Sequence, residues 1–430
     1  MSARIMLINI HSYRNAGDAA LTEVALGQLR KHFPGCQITV MMNDPQSFTG
    51  EAKTVISFLR WGTRNPHNQS LKFFWLAIVS VISILSYHLF RHPFFLPITS
   101  DVKDSIGAYL NADLVICTPG GYFYRYGRGR ALIVFMLTIA FAILAKKPLY
   151  MLPQSFGPLT SQRERWLAKY LLKRARLIFT REEISLNYLV DWGIPKSSIR
   201  ISPDMAFAFD GMPPKDAIDW LLNHEIDPQN SRPLLGVTVL DWGAQHSGFQ
   251  NQSKYEEAIC AAIRYFNNKY GGKVLFIAQS VGPTQVEDDR IPAQRISDKL
   301  GSSNDAIFHM TESISPMLLK SIYGQLDICI GTRMHANIFA ISQYVPVLPI
   351  EYLPKTRGIA QTAGIADWVV DINSITESML IQKLESLWSE KDTVRKHLQA
   401  IIPQLIQDSL QACILIADDF STLREDTKSV

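Results

Sequence analysis

The sequence predicts two Rossmann-like, doubly wound α/β domains facing each other across a cleft. Three observations lead there. Short apolar runs alternate with helical stretches along the chain, the pattern of parallel α/β units. That pattern breaks off in a polar, proline-bearing segment between residues 213 and 233 (PPK through DPQNSRP) and then restarts. The chain has 430 residues, too many for one ordinary core, and its 47% hydrophobic content is ample for two buried sheets. The expected divisions are an N-terminal domain over 1–210 with an apolar insertion near 60–100, a C-terminal domain over 232–375, and C-terminal helices over 376–430 that pack back on the N-terminal domain.

In the first half the strands are RIMLINI, CQITVMM, DLVICTP, PLYMLPQS and ARLIFT. Helices fall through AALTEVALGQLRKHF, over 131–145 and around the basic stretch 162–174. In the second half LLGVTVLDW, KVLFIAQS, DICIGT and VPVLPI are strands, with helices over 254–270 and near 314–324. Two fragments read as an internal echo of the two domains. LYMLPQSFGP (149–158) matches VLFIAQSVGP (274–283), and DLVICTPGG matches DICIGTRMH.

The insertion carries LKFFWLAIVSVISILSYHLF, 71–90, which is long and apolar enough to cross a bilayer core. Arg60, Arg64, Lys72, His88, Arg91 and His92 flank it. A single crossing would separate strands 4–10 and 113–117, which belong to one sheet. A helical hairpin covering the core or acting as a lid, or a helix or helical pair in the membrane interface with Phe73, Phe74 and Trp75 inserted, is therefore favoured over a span.

Composition narrows the function. A net charge of +4 suits an anionic substrate or membrane surface and is too weak for nucleic acid. Cys36, Cys117, Cys260, Cys329 and Cys413 have no CxxC or His/Cys spacing, which predicts free buried thiols and no zinc or other metal site. MSARIMLINI reads as a buried strand and not as a secretory signal, so the expected location is the cytoplasm.

In doubly wound sheets ligands bind beyond the C-terminal strand ends, where helix N-termini favour anions. DICIGTRMHANIFA (327–340) puts Arg333 and His335 at such a junction. Arg333 offers a fork for carboxylate or phosphate, and His335 exchanges protons near neutral pH. A surface Arg beside a capping His is the plainer reading of that segment alone. NAGDAALTEVAL (15–26) brings Asn15, Gly17 and Asp18 to another strand-to-helix loop, where Asp18 is also a candidate helix cap. TPGGYFYRYG (118–127) is a glycine-rich turn with Gly120, Gly121 and Tyr122, followed by aromatic residues suited to a sugar. It lacks GxGxxG spacing and a Walker lysine. Arg181 follows the strand ARLIFT, and Glu351, Tyr352 and Lys355 follow VPVLPI.

Taken in order, NAGDAAL, LVICTPGGYFY, KKPLYMLPQSFGP, TREEISLNYLVDWG, SPDMAFAF, IAQSVGP, DICIGTRMHANIFA and EYLPKTRGIA give the chain a resemblance. Over residues 4–375 it resembles the polysaccharide pyruvyl transferase family, nearest the exopolysaccharide or colanic-acid type. The resemblance implies a fold like that of GT-B glycosyltransferases. It also implies phosphoenolpyruvate as donor, with no further cofactor, and a sugar diol of a surface polysaccharide or its lipid-linked precursor as acceptor. Pyruvyl ketal and phosphate would be the products. By position it makes His335 catalytic and gives donor binding to Arg181, Arg333, the Met334 backbone and Lys355. Asn15, Asp18, Gly120, Gly121, Tyr122, Glu351 and Tyr352 are the acceptor-side candidates. One departure is TVLDW, where relatives often carry an Arg and this chain has Asp241 and Trp242. Two rivals stand beside this reading: a GT-B glycosyltransferase using a nucleotide sugar, and a non-catalytic, membrane-docked polysaccharide assembly protein. Lipid-linked acceptors and residues 71–90 together suggest peripheral contact with the inner face of the cytoplasmic membrane.

Overall fold

The computed structural model describes residues 2–64, 68–125, 131–230, 233–246, 248–301 and 306–426. Tyr126 and Gly127 of the glycine-rich stretch, and Ser231 and Arg232 of the expected boundary, lie outside them. The chain divides into two units, one of residues 1–13, 21–205 and 409–430, the other of residues 14–20 and 206–408.

The first unit holds strands β1 (Arg4–Ile10), β2 (Gln37–Met42), β3 (Lys53–Ile56), β4 (Leu114–Cys117), β5 (Gly120–Phe123), β6 (Leu149–Phe156), β7 (Leu177–Thr180) and β8 (Ile199–Ile201). They form one sheet in the order β3-β2-β1-β4-β6-β7-β8, with β5 paired to β6. The second unit holds β9 (Leu234–Thr238), β10 (Lys273–Phe276), β11 (Ile307–His309), β12 (Ile328–Gly331), β13 (Val347–Glu351) and β14 (Val370–Asp371), in the order β11-β10-β9-β12-β13-β14. Among the described residues, every pairing between these strands is parallel. The outward-then-back strand order is that of a doubly wound fold. Central strands such as LVIC in β4 and LLGVT in β9 are buried at every residue, as sheets covered on both faces require.

Only one of the two echoes survives as topology. β4 and β12 occupy the same place, each beside the first strand of its sheet. Asp113 Oδ2 accepts the backbone N–H of Arg4 at 2.8 Å, and Asp327 Oδ2 accepts that of Leu234 at 2.8 Å. In both units, then, an Asp ahead of the fourth-position strand satisfies the opening N–H of the central strand. QSFGP and QSVGP do not correspond: β6 lies two strands from β1, whereas β10 is the immediate neighbour of β9 on the other side. Apolar strands ending in Gly-Pro match too easily for sequence to tell these cases apart.

Three local readings change. GGYF is a short strand, because Phe123 packs on Phe156 with ring centroids 5.2 Å apart. Residues 69–90 are a single helix and not a helical hairpin. Pro93 and Pro97 keep residues 91–99 out of a helix, and this stretch returns along the first helix, where Ser83 Oγ donates to Phe94 O and Trp75 Nε1 donates to Pro97 O, before helix Ser100–Asn111 begins. Asp18 is not the cap of helix Ala16–His32; Asn15 Oδ1 accepts the N–H groups of Gly17 at 2.9 Å and Asp18 at 3.3 Å. The C-terminal helices divide, against the expectation that all of 376–430 packs on the N-terminal domain: helix Glu377–Ser409 groups with the second unit up to residue 408, and Gln411–Asp426 with the first, where Asp419 accepts from Tyr150 and Arg176.

Asp327→Ala should lower stability by about 1–3 kcal/mol, because the Leu234 N–H loses its acceptor inside the sheet. Asp327→Asn, which keeps an acceptor oxygen, should lose less. Urea unfolding followed by tryptophan fluorescence reads both, and equal midpoints for all three proteins would deny the aspartate this role.

Candidate active site

β12 ends at Gly331, and the chain turns through Thr332 and Arg333 straight into the helix Met334–Ser342. Gly331 permits so short a turn, since a Cβ there would lie 1.6 Å from Asn337 Oδ1. The turn is fastened from two sides. Thr238 Oγ1, at the end of β9, accepts the Thr332 N–H at 3.0 Å, and the Tyr255 hydroxyl lies 2.8 Å from Thr332 Oγ1.

Arg333 is held against Asp289. Its Nε lies 3.0 Å and its Nη2 2.6 Å from Asp289 Oδ1. The side chains are 12% and 1% exposed. Burial works against the cation, but Asp289 overrides it and raises the guanidinium above its ordinary range, so Arg333 stays charged. Asp289 is fixed in turn by the Ser280 N–H, 3.0 Å from Oδ2. Sequence reading missed Asp289: it sits in the polar run EDDR, 44 positions from its partner, with no local mark of burial.

Ser280 links this pair to the NAGD loop. Asn15 and Ser280 form an antiparallel bridge, Ala16 N–H donates to Gln279 O at 3.0 Å, and Val281 N–H donates to Arg14 O at 2.9 Å. The loop so held carries Gly17 onto the imidazole of His335. A Cβ on Gly17 would lie 2.0 Å from His335 Nδ1 and 2.3 Å from its Cγ. No other residue type lets backbone come that close. The glycine of NAGD therefore serves the histidine of GTRMHA, more than 300 positions away.

Gly331 pairs with Pro349, so the loop after β13 emerges beside the Arg333–His335 turn. That loop supplies Tyr352 and leads into helix Pro354–Thr362, whose first turn carries Lys355, with the ammonium 5.6 Å from the Tyr352 ring centroid. Tyr352 meets Trp242 edge-on at 4.7 Å, and Trp242 stacks on His246. Glu351 is tied to Arg357, whose Nη2 lies 2.7 Å away, which offsets its charge. The departure at TVLDW is accounted for locally: Asp241 caps the short helix Trp242–Gln245 and pairs with Arg295 at 2.9 Å. A cavity of about 620 Å³ opens near the ends of β10 and β11, lined in part by Arg290 and Arg295. Its arginines are paired with Asp288, and with Asp241 and Glu256, respectively.

The second unit therefore brings together Asn15, Asp18, Arg333, Met334, His335, Glu351, Tyr352 and Lys355 of the expected residues. Arg181, Gly120, Gly121 and Tyr122 belong to the first unit. Arg181 is 1% exposed, donates Nη1 to Asp204 at 2.5 Å and Nη2 to Ser155 Oγ at 2.7 Å, and would lie 3.3 Å from a Cβ on Gly121. Tyr122 packs on Phe135 at 5.1 Å.

Arg333→Ala should destabilise the protein by about 3–5 kcal/mol, because it strands the buried Asp289 carboxylate. The double variant Arg333→Met with Asp289→Leu should recover most of that loss. A double-mutant cycle in urea measures the coupling, and a stable Arg333→Ala would show that the pair holds nothing together.

Comparison with known proteins bears on this geometry. The family model for polysaccharide pyruvyl transferases matches residues 15–354. The amylovoran biosynthesis protein AmsJ of Erwinia amylovora is 22% identical over 422 residues, covering 93% of this chain and 96% of AmsJ. Among solved structures, a putative UDP-N-acetylglucosamine 2-epimerase from Listeria monocytogenes aligns with a TM-score of 0.63 at 13% identity, covering 99% of this chain and 98% of the other. Anabaena Alr3699/HepE, solved in complex with UDP and glucose, aligns at 0.58 and 12% identity, covering 98% and 100%. These likenesses place the two sheets in the GT-B-like architecture. The family model spans both the NAGD loop and the turn that carries Arg333 and His335, and the chain belongs to the polysaccharide pyruvyl transferase family.

Proposed function

We propose that the protein transfers the pyruvyl group of phosphoenolpyruvate to a sugar diol, forming a ketal and releasing phosphate. Family and fold establish the coarser class, a sugar-active transferase of GT-B-like architecture. The observation that carries the finer reading is the assembly, within one unit, of Arg333, His335 and Lys355 at the ends of adjacent parallel strands. Phosphoenolpyruvate bears a phosphate and a carboxylate close together, and such a pair calls for fixed cations at a helix N-terminus. Arg333 and Lys355 would hold the charge that develops on the departing phosphate, with the Met334 backbone beside them. The reaction protonates the methylene carbon, joins both oxygens of the diol to C2 and breaks the C2–O bond to phosphate, so that of the two hydroxyl protons one balances the new methyl C–H and the other leaves with the phosphate. His335 would exchange the proton, as donor or acceptor. Arg181 enters this reading as a donor-side cation whose guanidinium is engaged by Asp204 and Ser155 in the present structure. Asn15, Asp18, Gly120, Gly121, Tyr122, Glu351 and Tyr352 remain the acceptor-side proposal.

Fold likeness supports a second reading. The solved neighbours are described with UDP or UDP-glucose, or as UDP-sugar epimerases, and on fold alone they side with nucleotide-sugar handling. Thermal shift with phosphoenolpyruvate against UDP and UDP-glucose separates the two. Stabilisation by the nucleotides alone would replace the first reading with the second.

On the pyruvyl reading, His335→Gln should fold normally and lose turnover by about 100- to 10,000-fold. Lys355→Ala should weaken donor binding by about ten- to a hundredfold. Gly17→Ala displaces the imidazole without touching Arg333, so it should lower kcat by on the order of a hundredfold and leave the donor KM nearly unchanged. The assay is mass spectrometry of lipid-linked glycans for the pyruvyl increment. Wild-type turnover in His335→Gln would remove the histidine from the chemistry.

A further inference from the structure

The first unit exposes an apolar face that its core does not use. Helix Gln69–Phe90 buries Leu76, Val79 and Ile84 in the core beside Val102, Ile106 and Phe141. Its other side carries Leu71 (65% exposed), Phe74 (66%), Val81 (42%), Leu85 (55%) and Leu89 (74%). Those residues recur three, seven, four and four positions apart, which is one stripe on a helix about 27 Å long from first to last. The neighbouring helix Ala131–Leu144 extends the stripe with exposed Ile133 and Leu144. An apolar groove of about 340 Å³ joins the two helices between Phe74, Ala77, Ile133 and Leu137. Scattered exposed leucines need no explanation, but a contiguous face of this extent does.

Charge identifies what covers it. Residues 52–100 and 114–163, which contain both helices, hold no Asp or Glu at all. Exposed Arg60 and Arg91 bracket the first helix. Helix Gln162–Leu172 packs beside the second and presents Arg163, Arg165, Trp166 and Tyr170 to solvent, followed by exposed Lys173 and Arg174. Its aromatic rings are ordered by the cations, with the Arg174 guanidinium 3.7 Å from the Tyr170 ring and Trp166 stacked on Tyr170 at 5.8 Å. An apolar stripe, edged by tryptophan, tyrosine and mainly basic charge, with Glu164 of that helix paired to Arg125, matches the depth profile of an anionic bilayer surface. A second copy of the chain matches poorly, since a two-fold contact through this face would set like charges against each other. A crossing helix matches poorly too, because Leu76, Val79 and Ile84 are already committed to the sheet.

We propose that this face docks the protein on an anionic lipid surface, with helix Gln69–Phe90 lying in the plane of the interface. The proposal goes beyond the pyruvyl reading and does not depend on the donor. Its test is flotation of the full chain with vesicles of phosphatidylcholine and phosphatidylglycerol, and with phosphatidylcholine alone. The wild type should rise with the anionic vesicles and remain largely at the bottom with the neutral ones. Phe74→Ser, Leu85→Ser and Leu89→Ser together should lower the bound fraction at least tenfold while melting at the wild-type temperature, since all three side chains are exposed. Arg163→Gln with Lys173→Gln should lower partition by about fivefold per charge removed. The proposal fails if the wild type does not float, or if the triple-serine variant floats equally well. It also fails if sedimentation shows that the face joins two copies in a dimer that ignores lipid.

Discussion

The ion pair between Arg333 and Asp289 is the constraint around which the second unit's strand-end loops are arranged. A carboxylate with 1% exposure is tolerable only when its charge is met, and Arg333 meets it with two nitrogens while the Ser280 N–H supplies a third contact. Through Ser280 the same pair reaches the bridge to Asn15 and so the loop that brings Gly17 to His335. The position of the imidazole is therefore set by three segments far apart in sequence: 14–20, 277–289 and 331–335. An arginine in this place has two tasks. It anchors the loops through Asp289, and it stands at the N-cap of a helix, an end where an anion is already favoured.

That division of labour explains what the sequence could and could not disclose. Strands such as DICIGT and LLGVTV announce themselves because they are buried on both faces and so are apolar without interruption. The Arg333–His335 turn was legible because charged residues directly after such a strand have no business in a core. Asp289 was not legible, since an acidic residue among EDDR looks solvated until its partner is known. Gly17 was legible as a loop glycine but not as the surface on which an imidazole rests, because close approach is a property of two segments and neither encodes it alone. The echoes make the same point. Asp113 and Asp327 share a role that rests on hydrogen bonds to Arg4 and Leu234, whereas the two QSxGP fragments look more alike and occupy different sheet positions.

Arg181 and Arg333 invite comparison as two arginines near strand ends, each with a buried aspartate. Their surroundings differ in a way that matters for ligand binding. Arg181 is closed in, with Ser155 accepting from two of its nitrogens and Asp204 from the third, while the buried Glu182 carboxyl is raised by burial and bonded to Ser155 and Ser185. Arg333 keeps 12% of its side chain accessible. A cation so enclosed holds its own strand-end loop through Ser155 and Asp204. A partly open one can also donate hydrogen bonds directly.

The apolar helix 69–90 shows where hydropathy alone stops being informative. Its composition passes for a membrane span, and the structure divides that composition between two environments. Leu76, Val79 and Ile84 complete the core of the first unit, while Leu71, Phe74, Leu85 and Leu89 face outward with comparable hydrophobicity. A helix that merely roofed a sheet would carry polar residues on the outer side, because nothing there rewards apolar ones. The absence of carboxylates from 52–100 and 114–163 adds a second, independent asymmetry in the same part of the fold. With a net charge of only +4 over the whole chain, so long a run without an acid is not a consequence of composition. Apolar stripe and mainly basic charge would answer to different parts of a lipid surface, the acyl boundary and the headgroups, and here they lie on adjacent helices of one unit.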